Sequence, residues 1–267
     1  IDTKVLPRIR HDDPKYGVGY QERTKSISAY YKSAYKEYLD GEMGHLHSYY
    51  PLLAGFFYKS PILIWYFRAK WKHENKHYEN YHTLIGTYRQ KIYDLGCGYG
   101  YLSHYLLLRD PSRQIVGVDY DEEKVDLAQH HYLTKTNMRF ESNDVYSCEI
   151  KDADAIILAD VLHYLSTDHQ LQTLKHCHEN LNADGILLIR DAVTDKEEEH
   201  KWTEKSEKWS TQWVKFNKTA GDLNFFKTAF ITDWATEYGY EISIDQQASK
   251  SSNTLFVLRK RTELTVN

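Results

Sequence analysis

The sequence predicts an α/β fold with a doubly wound, mostly parallel sheet over residues 91–267. From Lys91 onward, short apolar runs alternate with longer segments of helical periodicity, the pattern of repeated strand–helix–strand units. A glycine-rich loop follows the first apolar run, and aspartates close several of the later ones. Because ligands of such sheets lie at the carboxyl ends of the strands, the same pattern predicts the position of a binding site.

The elements follow in order from Lys91. We expect strands at 91–95, 114–119, 138–141, 154–159, 186–190, 240–244 and 254–259. We expect helices at 100–109, 122–135, 168–181 and 228–238. The segment 246–253 is long enough for a hairpin-like return into the last strand. The chain therefore supplies seven strands.

The loop after the first strand contains Asp94-x-Gly96-x-Gly98-x-Gly100. Its glycines allow a sharp turn and let a ligand lie against bare main chain. A dinucleotide site requires two residues before the third glycine, and the single residue found here favours a small, uncharged to cationic ligand over a pyrophosphate. Asp94 suits a cationic amine, and Asp119 at the next strand end can accept both hydroxyls of a ribose. The alternative for either acid is a helix N-cap or a solvated turn.

These features, with three later segments, resemble the class I S-adenosylmethionine (SAM)-dependent methyltransferases. The matching segments are D-x-G-C-G-x-G at 94–100, the acid Asp119, Asn143-Asp144-Val145, the strand and exit loop at 154–165, and the turn into a strand at 181–190. The resemblance covers residues 90–260. It implies a Rossmann-like, seven-stranded sheet with an antiparallel last strand, SAM as cofactor and S-adenosylhomocysteine (SAH) as product.

The resemblance also implies which residues bind each part of the cofactor. The residues near the methionine moiety are Asp94, Gly96, Cys97, Gly98, Gly100 and Asp160. Asp119 binds the ribose. The adenine is surrounded by Asp144, Tyr120 and Val145. The small size of Cys97 is a sufficient reason for its place in the loop, and we do not interpret it as a nucleophile.

The acceptor side of the site is represented by His163, which follows the strand ending at Asp160. An imidazole there could take a proton from a phenol or hydroxyl near neutral pH. The alternative is a histidine packed on the loop that supports Asp160. Tyr164, Arg190 and Asp191 are further candidates for orienting a substrate. The strand lacks N-P-P-Y and D-P-P-Y, which argues against methylation of amino groups on DNA bases or of protein glutamine.

In detail the chain is similar to methyltransferase modules linked to acyltransferases in bacterial aryl-polyene or flexirubin-type pigment pathways. That likeness implies O- or C-methylation of a phenolic head group, on a small molecule or on an acyl-carrier-bound intermediate. Residues 1–40 resemble the C-terminal tail of glycerolipid-type acyltransferases, which predicts a larger multidomain chain. Two alternatives stay open: a methyltransferase for a free lipid or metabolite, and a non-catalytic SAM-binding module.

Three regions make up the predicted organisation: an N-terminal tail and helix at 1–45, a helical cap at 46–90, and the SAM-binding domain at 91–267. Apolar residues at 46–70 are interrupted and too short to span a bilayer. They could cover the cofactor, meet a lipid-like or carrier-bound substrate at a membrane surface, or pack on the core. An aromatic stripe within the insertion at 192–220 predicts either a lid over the acceptor or an ordinary packed helix.

Composition argues against a nucleic-acid partner and indicates the cellular compartment. The net charge of −4 and the lack of a basic tract argue against nucleic acid. Three scattered cysteines indicate a reducing compartment, hence the cytoplasm.

His73-Glu74-x-x-His77 fits a zinc pattern, but the lysines around it predict a solvated, charged helix, so we expect no metal site. The chain begins without methionine, which suggests a piece of a longer polypeptide.

Overall fold

The structure is a computed structural model that describes residues 70, 74, 76–129, 137–195, 223–245 and 253–261. Predictions for the N-terminal tail, for most of the cap and for the aromatic insertion beyond residue 195 lie outside the described residues. Within these ranges, residues 76–85 form a helix, α1, which Lys70 and Glu74 precede in helical conformation.

The strands lie close to where the sequence predicts them, except that β5 begins five residues early and includes the predicted turn at 181–185. They are β1 (Lys91–Leu95), β2 (Gln114–Asp119), β3 (Met138–Ser142), β4 (Ala153–Ala159), β5 (Leu181–Ala192), β6 (Tyr240–Asp245) and β7 (Asn253–Lys260). The remaining helices are α2 (Tyr101–Arg109), α3 (Glu122–Gln129), α4 (Thr167–Asn180) and α5 (Thr228–Glu237). A short 3₁₀ helix (Leu162–Tyr164) follows β4. Residues 130–135 of the predicted third helix are not described.

The seven strands form one sheet in the order β3-β2-β1-β4-β5-β7-β6. Strands β1 to β5 pair in parallel, whereas β7 runs antiparallel to both β5 and β6. The prediction of a doubly wound sheet with an antiparallel last strand is therefore confirmed. The chain order reverses between β1 and β4, and the carboxyl ends of these neighbouring strands open a crevice where ligands of such sheets bind.

Helices cover both faces of the sheet because its central strands are apolar throughout. In β4, for example, Ile156, Ile157 and Leu158 are fully buried. Apolar side chains of α1, α2 and α3 pack with one face, and those of α4 and α5 pack with the other. The two cores hold the strand ends rigidly in place. No helix among the described residues is long and apolar enough to cross a membrane.

The helix around the zinc-like pattern is not the solvated element that we predict from its lysines. The Glu74 side chain is 14% exposed and bonds to Arg190. Spacings of four, three and four residues place Glu74 on the same helical face as the buried Tyr78, Tyr81 and Ile85, and this face packs on the sheet. The described residues contain no cluster of histidine, cysteine and acidic side chains that could hold a metal ion.

Candidate functional site

A cavity of about 540 Å³ lies at the carboxyl ends of the parallel strands. Nine of the predicted cofactor residues line it: Asp94, Gly96, Cys97, Gly98, Asp119, Tyr120, Asp144, Val145 and Asp160. The structure therefore brings together residues that are spread over 67 positions of the sequence, because the parallel strands end at one edge of the sheet.

The glycine loop forms one wall of the cavity. Gly98 adopts a positive φ of 54°, and its backbone N–H donates to Asp119 Oδ2 at 2.8 Å. A β-carbon added to Gly98 would meet none of the described atoms within 4 Å. This position faces open space inside the cavity, so a ligand can approach the bare main chain there.

Gly100 differs from the other predicted cofactor residues because it does not line the cavity. It precedes α2 with a φ of 72°, and a β-carbon there would lie 2.7 Å from Phe140 and 3.0 Å from Ala128. The third glycine is thus required for close packing of α2 against α3 and β3. Its prediction as a cofactor-binding residue near the methionine moiety stays a prediction.

Asp94 is buried at the end of β1 and accepts a hydrogen bond of 2.6 Å from Ser103 Oγ of α2. Burial raises the pKa of this carboxyl group to about 6, with a smaller contribution from the negative charge of Asp119, while the Ser103 hydrogen bond opposes the shift. A buried carboxylate in this state gains from a cationic ligand group, which would restore part of the lost solvation.

Asp119 is the last residue of β2 and binds the glycine loop through Gly98. Its Oδ2 accepts the Gly98 N–H, and its Oδ1 accepts the Asp121 N–H at 2.9 Å. Each carboxylate oxygen has a second lone pair, so both can also accept from ligand hydroxyl groups. The same side chain therefore positions the glycine loop and presents acceptors to the cavity.

The end of β3 forms the outer wall. Asp144 is exposed and lies beside Val145, which is buried. Tyr146 stacks on His169 of α4 with ring centroids 4.0 Å apart and planes inclined by 10°. Both rings line the cavity. The sequence does not reveal this pair, because its two residues are 23 positions apart and share no local pattern.

Asp160 lies at the end of β4 within a network of buried charges. Its Oδ2 accepts from Arg190 Nη1 at 2.7 Å, and its Oδ1 accepts from Asn253 at 3.0 Å. Arg190 also donates to Glu74 at 3.1 Å. Burial opposes ionisation of Asp160, yet the positive charges of Arg190 and Lys70 hold its pKa below the usual range. Arg190 thus binds the two carboxylates; it is not among the residues that line the cavity.

Replacing Arg190 with methionine is expected to lower the free energy of unfolding at pH 7 by about 2–4 kcal/mol, because two partly buried carboxylates, 14% and 21% exposed, lose their buried cation. The lowered pKa of Asp160 contributes stability that is present above its unfolded value of 3.8 and is lost in acid as the pH falls through its folded pKa. The difference between variant and wild type should therefore shrink in acid. Urea denaturation at several pH values measures it.

Arg109→Met is the matched control, because Arg109 pairs with Glu79 at 2.8 Å but is 40% exposed. We expect this control to lose less than about 1 kcal/mol. Equal losses for the two variants would contradict the assignment of Arg190 to a buried network.

His163 lies on the 3₁₀ helix and is buried, with its Nδ1 2.6 Å from Asp191 Oδ1. Its ring packs against Phe225 at 5.2 Å. The next three residues, 164–166, line the cavity, whereas His163 itself does not. The structure thus pairs two of the predicted acceptor-side residues with each other, and the catalytic role of His163 stays a prediction.

Aromatic side chains dominate the rest of the lining. The tyrosines are Tyr78, Tyr81, Tyr99, Tyr101, Tyr120, Tyr146 and Tyr164. Five of them, all except Tyr120 and Tyr164, were not predicted as site residues, although the high tyrosine content of the chain, 23 residues, was a signal. Two lysines, Lys70 and Lys124, also line the cavity, and burial lowers the pKa of Lys124.

A family model described as a methyltransferase domain matches residues 88–245, more than half of the chain. The chain belongs to this methyltransferase domain family. SAM is the cofactor of such domains and hence of this one, in agreement with the prediction.

The curated relatives of this methyltransferase-domain chain include carboxy-S-adenosyl-L-methionine synthases. The protein from Actinobacillus pleuropneumoniae serotype 5b (strain L20) is 30% identical over 129 residues, 44% of this chain and 54% of the relative. The one from Shewanella halifaxensis (strain HAW-EB4) is 25% identical over 171 residues, 62% of this chain and 61% of the relative. The chain thus spans about half to three fifths of the length of these relatives.

Solved structures share its fold. An O-methyltransferase family protein from Burkholderia thailandensis aligns with a TM-score of 0.56 and 17% identity, over 73% of this chain and 58% of that one. Human N-acetylserotonin methyltransferase in complex with SAM aligns with a TM-score of 0.55 and 16% identity, over 91% of this chain and 69% of that one. At these identities the likeness concerns the fold alone.

Proposed function

We propose that this chain transfers a methyl group from SAM to a small molecule. The observation that carries the proposal is the cavity at the strand ends, where Gly98 offers bare main chain and Asp94 and Asp119 offer carboxylates on neighbouring strands. When bound, SAM supplies a methyl group already activated on a sulfonium sulfur. The protein then has to align the acceptor, exclude water and, where necessary, accept a proton.

We assign the cofactor contacts by the chemistry of the lining. Asp94 and Asp160 attract the ammonium group of the methionine moiety, and Asp119 accepts from the ribose hydroxyls. Asp144 accepts from the adenine amine, with Tyr120 and Val145 beside the ring. The open space at Gly98 leaves room for the ligand, and the buried carboxylate of Asp94 favours a ligand that carries a positive charge.

We further propose a phenolic or carrier-bound acyl acceptor, with methylation at oxygen or carbon. The tyrosine-rich lining supports this choice, because aromatic rings stack on phenols and also stabilise a nearby cation through their π faces. If a proton must be removed, His163 is the candidate base. Asp191 holds its Nδ1, so a proton taken up from an acceptor would go to Nε2, provided that the acceptor reaches past Tyr164.

A second candidate is the formation of carboxy-SAM, which the names of the curated relatives favour. In this reaction the methyl carbon on sulfur loses a proton and bonds to CO₂ that a co-substrate gives up. The remainder of the co-substrate takes up the displaced proton. Lys70 and Lys124 line the cavity and could attract such an anion. The two candidates differ in their nucleoside product: SAH for methyl transfer, and a nucleoside heavier than SAM by the mass of CO₂ for the alternative.

Calorimetric titration with SAM and SAH tests cofactor binding. We expect micromolar dissociation constants for the wild type. For Asp119→Asn we expect an affinity that is lower by about tenfold or more, because a neutral amide replaces a charged hydrogen-bond acceptor. Asp121→Asn is the control: Asp121 is also buried and accepts a backbone N–H from Glu123, yet it does not line the cavity. It should bind SAH as the wild type does.

Mass spectrometry of the nucleosides then separates the candidate reactions. Incubation with SAM and a panel of phenols should yield SAH and a methylated phenol. A parallel incubation contains SAM and a panel of carboxylic acids that can donate CO₂, and a carboxylated nucleoside in it would support the carboxy-SAM reaction. Tight SAM binding without either product would favour the non-catalytic module, and a failure of the wild type to bind SAM would contradict the proposal.

A further inference from the structure

Tyr81 of α1 is a buried tyrosine whose hydroxyl group has no obvious use in the fold. The side chain is 1% exposed and lines the cavity. Its hydroxyl oxygen has no hydrogen-bond partner among the residues that the structure describes. Burying a hydroxyl group without a partner costs free energy, so such a group at a ligand cavity indicates that the ligand supplies the partner.

The surroundings of Tyr81 identify the part of the cavity that it faces. The charges that act on its hydroxyl group are those of Arg190, Asp160, Glu74 and Asp94. Asp94 and Asp160 end β1 and β4, the two strands between which the chain order reverses. Burial raises the pKa of Tyr81, so the hydroxyl group keeps its proton and can serve as a donor at neutral pH.

The ligand chemistry at this end of the cavity requires donors as well as acids. The methionine moiety of SAM carries an ammonium group and a carboxylate. Asp94 and Asp160 suit the ammonium group but repel the carboxylate. Arg190 is engaged by Asp160 and Glu74. Lys70 and Tyr81 are among the donors that line the cavity, and Lys70 is close enough to act on both Asp94 and Asp160.

We propose that the Tyr81 hydroxyl group donates a hydrogen bond to the carboxylate of the methionine moiety, so that α1 completes the cofactor site opposite the glycine loop. This inference rests on the proposed use of SAM. It makes Tyr81 a residue that distinguishes cofactors with an intact amino-acid end from those without a carboxylate. It also explains why α1 packs a tyrosine, and not an aliphatic side chain, against the acidic strand ends.

The test combines a deletion in the protein with a deletion in the ligand. Calorimetry measures the affinity of wild type and Tyr81→Phe for SAH and for decarboxylated SAH, which keeps the amine and lacks the carboxylate. For Tyr81→Phe we expect an affinity for SAH that is about tenfold lower, the usual effect of losing a hydrogen bond to a charged group. Its affinity for decarboxylated SAH should equal that of the wild type.

Tyr93→Phe is the matched control, since Tyr93 is equally buried but accepts the Lys151 N–H on the opposite face of the sheet. It should bind both ligands as the wild type does and lower the ligand-free melting temperature. Tyr81→Phe should leave that temperature unchanged or raise it, because it removes a buried polar group that lacks a partner.

Unchanged SAH affinity in Tyr81→Phe, or an equal loss for both ligands, would overturn the assignment to the carboxylate. An equal loss would direct attention to another part of the cofactor. A wild type that binds neither ligand would refute the proposed function itself and this inference with it. This outcome is distinct from failure of the inference alone, in which the wild type binds SAH and Tyr81→Phe binds it equally well.

Discussion

Replacing Asp94 with asparagine is expected to weaken SAH binding by about 100-fold, because a buried carboxylate that faces a cation is lost. The same substitution is expected to stabilise the ligand-free protein at pH 8, by up to about 3 kcal/mol. Both effects have one cause. Burial raises the pKa of Asp94 from 3.8 to about 6, so its ionisation is costly unless a ligand compensates.

The sign of the pH dependence follows from this raised pKa. Below pH 4, Asp94 is protonated in the folded and the unfolded chain and has no effect. As the pH rises from 4 to 6 the unfolded chain ionises first, so the wild type loses stability, and above 6 the loss is constant. The advantage of Asp94→Asn should therefore grow between pH 4 and 6 and then level off, as measured by urea denaturation. SAH affinity of the wild type should fall below about pH 6.

Asp154→Asn provides the opposite case. Asp154 accepts backbone N–H groups of Gln90 and Lys91 at the other end of the sheet, and although burial opposes ionisation, these and other hydrogen bonds lower its pKa. Its replacement should destabilise the protein near neutral pH and leave SAH affinity unchanged. A stability difference for Asp94→Asn that does not vary with pH would contradict the buried, high-pKa carboxyl group.

Alanine substitutions in the glycine loop should separate binding from folding. Gly98→Ala places a methyl group in open cavity space at a positive φ, so we expect a loss of about 1 kcal/mol in stability and at least about tenfold in SAH affinity. Gly100→Ala forces a methyl group against Phe140 and Ala128 in addition to the same backbone strain. We expect it to cost about 2–5 kcal/mol in stability. Urea denaturation and calorimetry measure the two effects.

Gly239→Ala isolates the contribution of the backbone. Gly239 has a φ of 72° in the turn before β6, and an added β-carbon there would meet none of the described atoms within 4 Å. This variant should match Gly98→Ala in stability and the wild type in SAH affinity. If Gly98→Ala also bound SAH normally, the ligand would not lie against the glycine loop.

Local patterns in the sequence predict the strands, their order along the chain and the acids that line the cavity at the strand ends. The reason is that these features are local. A buried strand is a short apolar run, and a glycine loop with an acid at the strand tip is complete within seven residues, 94–100. Once parallel pairing is assumed, the acids at consecutive strand ends must meet at one edge, as Asp94, Asp119 and Asp160 do.

Contacts between side chains of different segments depend on the tertiary structure, because the segments that they join share no local pattern. Glu74 and Arg190 are 116 positions apart, so the sequence does not show that they pair. The charged residues around Glu74 predicted a solvated helix, whereas its side chain lies on the face that packs on the sheet. Gly100 belongs to the loop pattern, yet only the packing of Phe140 shows that it serves the core. His163 was predicted near the acceptor, but the position of Asp191 on the adjacent strand determines where its ring lies.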